Sequence, residues 1–338
     1  MSKKLDKDLN PIDIVVPWVD GSDPDWLSLK KQYTPSSMCD TDESRYRASD
    51  TFKYWFRAIE KNAPWVHKVH FLTFRHVPEW LNIDHPKLQI VQHQDFIPQK
   101  YLPTFSSHVI EMNLHQIPGL ASQFIYFNDD VFLIKESRRE DFFRNDLPMD
   151  AAILGMIKNN HVENFMPYIM LNMMAIINMN FNKNNVIKNH LGKWFSFKYR
   201  KLLLNNLYLM PFSSFTGFRN FHTATPFLKE TIQEVWSTIP EIMQKVCKNK
   251  FRSKEDINQY IFRYWQLAKG QFIPHKINSA YITMGKFNRK QLTQILNNKH
   301  YLTVCINDDP GDFNFDSDNK MIEQELNQIL PDKSSFER

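Results

Sequence analysis

IDIVVPWV, residues 12–19, is a run of apolar and β-branched side chains broken only by Asp13 and Pro17. It lacks the alternation of a half-exposed strand and reads as a strand covered on both faces. KVHFLTF (68–74) and LQIVQH (88–93) are further β-rich runs, and FIYF (124–127) reads as a fourth, short buried strand. Helical patterns at DTFKYWFRAIEKNAP (50–64) and SSHVIEMNLHQIPG (106–119) separate members of the series. Strands interleaved with helices predict an α/β fold with a mostly parallel sheet and flanking helices. Such sheets bind their ligands beyond the carboxyl ends of the strands.

Carboxylates gather at those ends. FIYFNDDVFL places Asn128, Asp129 and Asp130 directly after the fourth strand, and DGSDPDW places three aspartates after the first. A late strand, HYLTVCIND (300–308), ends in Asn307 and Asp308. Burying an unpaired carboxylate is costly, so two adjacent ones at a strand end call for water or a cation. Mg²⁺ takes carboxylate and amide oxygens and often shares its remaining positions with substrate phosphates. A solvated turn is the ordinary alternative, since Asn and Asp favour turns.

Only 8 of the 338 residues are glycine, and neither GxGxxG nor GxxxxGK[ST] occurs, so bound phosphate must be held by side chains and metal. A net charge of +5 with a pI near 8.9 favours anionic partners such as nucleotide sugars or phospholipid surfaces, and is too small to argue for nucleic acid. Cys39, Cys247 and Cys305 fit neither a disulfide framework nor a zinc site, which points to a reducing cytoplasm. No signal-peptide core precedes the first strand, and the longest apolar-rich run, Tyr168 to Phe181, is shorter than a spanning helix. A soluble or peripherally attached protein is expected.

The chain divides into a first core part (1–155), a helical insertion (156–210) and a second core part (211–338). Six Lys or Arg lie among the aromatics of residues 183–201, either as a basic amphipathic face toward a membrane or as solvated lysines. Two further helices are predicted, over 225–246 with Thr225 as N-cap and Pro226 at its first position, and over 253–270. Trp18 can stack on a base, Asp20 can accept from a ribose hydroxyl or pair with a base, and Gly21 permits a tight turn, although a plain surface turn would look the same. Arg252 stands before a Ser253 N-cap, where a guanidinium and a helix N-terminus suit phosphate, although a capping box with an exposed Arg has the same appearance. His222 precedes a helix start and reads as structural or exposed. Glu111 reads as a solvated face residue beside apolar Val109, Ile110 and Leu114.

Taken in order, these segments resemble the Stealth family of sugar-phosphate transferases, which includes bacterial capsule and exopolysaccharide enzymes and the lysosomal GlcNAc-1-phosphotransferase α/β subunit. IDIVVPWVDGSDPDW is similar to the first family block. FKYWFRAIEKNAPWVHKVHFLTF through LPTFSSHVIEMNLHQIPGLASQFIYFNDDVFL is similar to the second. HTATPFLKETIQEVW with FRSKEDINQY is similar to the third, and VCINDD with LPDKSSFE to the fourth. Pro17 stands where Thr is common and Ala58 where Ser is usual. The resemblance implies a GT-A-like, Rossmann-type domain that transfers a hexose 1-phosphate or N-acetylhexosamine 1-phosphate. The implied donor is a nucleotide sugar, commonly UDP-linked, and the implied acceptor a carbohydrate hydroxyl.

By the same resemblance Glu111, Asp130, His222 and Arg252 belong to the active site, and Trp18, Asp20, Gly21, Arg57 and Asn128 to the donor site. Asp129 and Asn307 join Asp130 around Mg²⁺ or Mn²⁺. His222 is the expected general base, because imidazole titrates near neutrality, with Glu111 the second candidate. A lipid-linked acceptor and contact with the inner membrane face are left open. A metal-dependent hydrolase or an ordinary glycosyltransferase would use similar clusters, and a non-catalytic glycan-binding protein would account for the aromatics.

Overall fold

A computed structural model describes residues 10–34, 51–308 and 313–338; Cys39 lies outside them. In chain order the strands are β1 (Ile12–Pro17), β2 (Val69–Thr73), β3 (Leu88–Gln92), β4 (Gln123–Tyr126), β5 (Val131–Leu133), β6 (Phe143–Arg144), β7 (Leu147–Asp150), β8 (Thr225–Leu228), β9 (Ile273–Pro274), β10 (Ser279–Thr283) and β11 (Thr303–Asn307). The central sheet runs β3-β2-β1-β4-β8. Its first four strands are parallel and β8 is antiparallel to β4. The fold is therefore mixed α/β with a parallel-rich sheet and flanking helices.

The apolar runs are explained by a core on each face of the sheet. Val15, Leu72, Phe124 and Tyr126 enter one, shared with the helices Phe165–Asn180 and Tyr260–Ala268. Ile14, Val16, Phe71, Ile125 and Phe127 enter the other, shared with the helices Phe52–Asn62 and Phe315–Ile329. Successive residues point to opposite faces, so a strand covered twice has no polar alternation.

A second sheet, β10-β11-β5, adjoins this core, with β11 antiparallel to β5 and Cys305 opposite Val131. Residues 165–209 are largely helical, and their buried Ile169, Met173, Trp194 and Leu209 share the core of β4.

Two predicted helices begin later than the sequence suggests. TPFL forms β8, and helices follow at Lys229–Thr238 and Pro240–Cys247. Pro226 has no N–H to donate, and the free side of an edge strand needs none. The segment from Ser253 to Asp256 is a turn closed by Ser253 N–H donating to Asp256 Oδ2 at 2.9 Å, and the helix starts at Tyr260. Arg252 therefore does not sit at a helix N-terminus.

Arg57 also differs from expectation. Its Nε and Nη2 donate to the two carboxylate oxygens of Glu337 at 2.7 and 2.8 Å, and Nη1 donates to the carbonyl of Leu330 at 3.0 Å. The guanidinium is held in a buried pair with the C-terminal segment, which argues against the expected role as a nucleotide ligand. Within the basic stretch, Lys183 is buried and donates to the carbonyls of Leu209, Met210 and Phe212. Lys193 donates to the carbonyl of Gly270. These two lysines are structural.

Candidate active site

Because β1 and β4 are parallel neighbours, the segments that follow them emerge at one edge. After β4 the chain turns tightly, Val131 N–H donating to the Asn128 carbonyl at 3.2 Å, and enters β5. Asp130 is fixed on both sides of its backbone by this turn and by Ile306 N–H, which donates to its carbonyl at 2.9 Å. Its Oδ2 accepts from Cys305 Sγ at 3.1 Å and lies 3.5 Å from His222 Nε2, while Oδ1 has no hydrogen-bond partner. The ligand atoms of Asp130, His222 and Cys305 all lie within 4.8 Å of one another.

His222 reaches this position with φ at +36°, in the left-handed region that non-glycine residues rarely occupy. Such strain is typical of functional sites. Asn128 Nδ2 lies 3.2 Å from the same Nε2.

Asp129 keeps access to solvent but is hemmed in by protein, and that loss of bulk water, with the charge of Asp130 beside it, pushes its pKa up to about 7. A cation here would reverse the shift.

Arg252 donates through Nη2 to Ser107 Oγ at 2.8 Å, and Glu111 stands one helical turn further along the same short helix, Ser107–Met112. Contrary to the solvated-face reading, Glu111 is only 4% exposed. It accepts from Gln259 N–H at 3.0 Å and from the Tyr126 hydroxyl at 3.5 Å. Burial raises its pKa, opposed by His108, the Gln259 N–H, Arg252 and Ser107. Gln259 caps the Tyr260–Ala268 helix, so Glu111 occupies the anion position at that N-terminus. The Tyr126 hydroxyl is held neutral by burial, then by the charges of Glu111 and Asp129, with Arg252 opposing. That hydroxyl ties Glu111, Asp129 and Arg252 into one electrostatic neighbourhood. Trp26 meets Phe105 edge-on at 5.6 Å and Phe105 stacks on Phe251 at 5.2 Å, which brings the segment after Asp20 beside Arg252.

Cys305 faces Asp130, and Asn307, two residues along the same strand, points to the same side. Asn307 Nδ2 is without a partner. The Asp130 carboxylate, with its orphaned Oδ1, suits a hard divalent ion. Cys305 and His222 add softer donors to the same place.

Donor-site expectations divide. Asp20 Oδ1 accepts from the backbone and hydroxyl of Ser22 at 2.8 and 2.6 Å, closing a turn around Gly21 at the end of β1. Trp18 stacks on Phe52 at 6.1 Å, meets His76 edge-on at 5.4 Å and is 9% exposed. Its ring is filled by core neighbours and offers no platform for a base. Sequence reasoning missed Cys305, Ser107 and Tyr126, whose neighbours are remote in the chain. A cavity bordered by His222, Thr223, Phe221, Tyr260 and Arg263 opens beside the cluster.

Residues 10–38 match the family description "Stealth protein CR1, conserved region 1", and residues 45–150 match "Stealth protein CR2, conserved region 2". The capsular polysaccharide phosphotransferase WcwK of Streptococcus pneumoniae is 40% identical over 98% of this chain and 100% of its own length. The chain belongs to the Stealth family.

Other Stealth relatives include the exopolysaccharide phosphotransferase cps2G of Lactiplantibacillus plantarum, 37% identical over 97% of this chain and 96% of its own. The receptor polysaccharide phosphotransferase WefC of Streptococcus gordonii is 37% identical over 96% of this chain and 98% of its own. This Stealth chain is accordingly an enzyme. Among solved structures, mouse xyloside xylosyltransferase 1 in apo form aligns with a TM-score of 0.38 and 12% identity, over 88% of this chain and 98% of that one. The two matched Stealth regions carry Asp20, Glu111, Asn128, Asp129 and Asp130. His222, Arg252, Cys305 and Asn307 come from beyond them and are gathered by the fold.

Proposed function

We propose that this enzyme moves a hexose 1-phosphate, or its N-acetylhexosamine counterpart, from a UDP-sugar to a glycan hydroxyl in polysaccharide synthesis. The observation that carries the reading is the contact of His222 with Asp130, 3.5 Å apart, on the edge that also holds Arg252 and Glu111. Asp129, Asp130 and Asn307 would hold a divalent ion, Mg²⁺ or Mn²⁺, which when bound neutralises charge on the pyrophosphate.

The acceptor oxygen attacks the β-phosphorus, and the bond from that phosphorus to the bridging oxygen breaks. His222 takes the hydroxyl proton, and Arg252 binds the phosphoryl oxygens as charge develops. A sugar phosphodiester forms and the nucleoside monophosphate leaves. Glu111 is a positioning residue, because both its oxygens are engaged and it holds the segment leading to the Tyr260–Ala268 helix. The acceptor is a lipid-linked glycan presented at the inner membrane face. Among the described residues no helix is long and apolar enough to cross a membrane.

Donor labelled at the β-phosphate tests the reaction. The label should enter the glycan as nucleoside monophosphate appears. Label released as nucleoside diphosphate would mean ordinary glycosyl transfer, and equal turnover without acceptor would mean hydrolysis.

A further inference from the structure

We infer that the outer surface of residues 188–212 is a docking site for an anionic phospholipid membrane, a partner that rests on the lipid-linked acceptor proposed above. Leu204, Leu207 and Tyr208 are spaced i, i+3, i+4 on the Leu203–Leu209 helix and are 64%, 54% and 82% exposed. Phe197, on the 3₁₀ segment packed against that helix, is 90% exposed. The opposite face is fastened to the core by Asn206, which donates to the carbonyls of Ala152 and Trp194 and accepts from Leu154 N–H. The apolar face is thus held outward by a rigid inner face. Soluble monomers rarely expose such a contiguous apolar patch unless it meets a partner or a membrane.

Charge selects the occupant. Lys198, Arg200 and Lys201, on the segment packed against that helix, are exposed, whereas Lys183 and Lys193 are turned inward to carbonyls. From Asn164 to Lys229 the chain contains no Asp or Glu. An apolar face flanked by cations, in a segment that supplies no anion of its own, matches an interfacial helix on anionic lipid rather than a protein surface of mixed charge.

The patch is joined to the catalytic edge. Asn172, on the first helix of the same region, donates to the carbonyls of Lys254 and Asp256 in the turn after Arg252. Phe212 lies ten positions before His222, so the chain keeps the patch and the proposed base within about 35 Å of each other. Docking would hold the active-site edge near acceptors carried on lipid.

Co-sedimentation of the full chain with phosphatidylglycerol-containing and pure phosphatidylcholine vesicles tests the inference. Binding to the anionic vesicles alone, weakened by salt, is expected. Lys198→Glu with Lys201→Glu should lower partitioning at least ~20-fold, from roughly fivefold per charge. Phe197→Ser with Tyr208→Ser should lower it at least about 10-fold. Both variants should turn over a water-soluble acceptor fragment like the parent enzyme, which shows that they fold.

Absence of binding to anionic vesicles at low salt, or unchanged binding in both variants, overturns the inference. Self-association abolished by the same substitutions, without vesicle binding, assigns the patch to a second copy and also overturns it. A chain that binds vesicles but transfers no sugar phosphate would remove the proposed reaction and leave the membrane surface standing.

Discussion

His222 combines a φ of +36° with a ring nitrogen placed 3.2 Å from Asn128 Nδ2 and 3.5 Å from Asp130 Oδ2. His222→Gly suits the backbone and removes only the imidazole. Its thermal midpoint should hold or rise while turnover falls about 10²- to 10³-fold, the usual cost of losing one preorganised catalytic group. Arg252→Ala should lose a similar factor with an unchanged melting curve. A folded His222→Gly enzyme with parental turnover would remove the base from the mechanism.

Glu111 makes the opposite case, since its carboxylate receives a buried backbone N–H. Glu111→Ala should cost about 1–3 kcal/mol in urea unfolding, because the Gln259 N–H is left without an acceptor. Glu111→Gln retains an acceptor oxygen and should recover most of that loss. If alanine at 111 abolished turnover without lowering the urea midpoint, Glu111 would be a catalytic group rather than a positioning one.

At the scale of elements, the Arg57–Glu337 pair ties the Phe52–Asn62 helix to the C-terminal segment, with the two side chains 8% and 4% exposed. Arg57→Ala would strand a buried carboxylate and should destabilise by about 3–5 kcal/mol, read from urea denaturation. Donor KM in the folded fraction should not change; a raised KM would return Arg57 to the donor site.

This pair also shows why the sequence could not place Arg57. Its partner stands 280 positions away, and an arginine in a helical pattern reads alike beside a carboxylate and beside a phosphate. β1, β2 and β4 were legible because a strand covered on both faces leaves a nearly continuous apolar run, and β3 by its β-branched centre alone. TPFL was not, because Thr-Pro before Lys-Glu is also a helix start, and only the ladder to β4 distinguishes the two. Ser253 and Asp256 form the local bonds of a helix cap with no helix behind them. The acidic clusters were legible from their positions at strand ends. Cys305 was not, because its proximity to Asp130 is created by the β5–β11 ladder.

For the whole molecule, groups with displaced pKa values act on acid stability in opposite senses. His93 is 6% exposed and its Nδ1 has no partner, so burial, then the charge of His76, lower its pKa to about 4. His115 is likewise lowered to about 4 by burial and by Lys229. For a depressed histidine the unfolded chain binds the proton first, so its stabilising contribution is present above about pH 6.5 and is lost as pH falls toward 4. For His93 the loss is of order 3 kcal/mol. Asp129 acts in reverse: its pKa of about 7 makes the native state take up the proton first, so stability is gained as pH falls from 7 toward 3.8. The parent curve between pH 7 and 4 is therefore a partial cancellation that single substitutions expose. His93→Leu should flatten or invert the acid decline of the urea midpoint, and Asp129→Asn should steepen it. Identical pH profiles for parent and both variants would show that neither group changes protonation on unfolding.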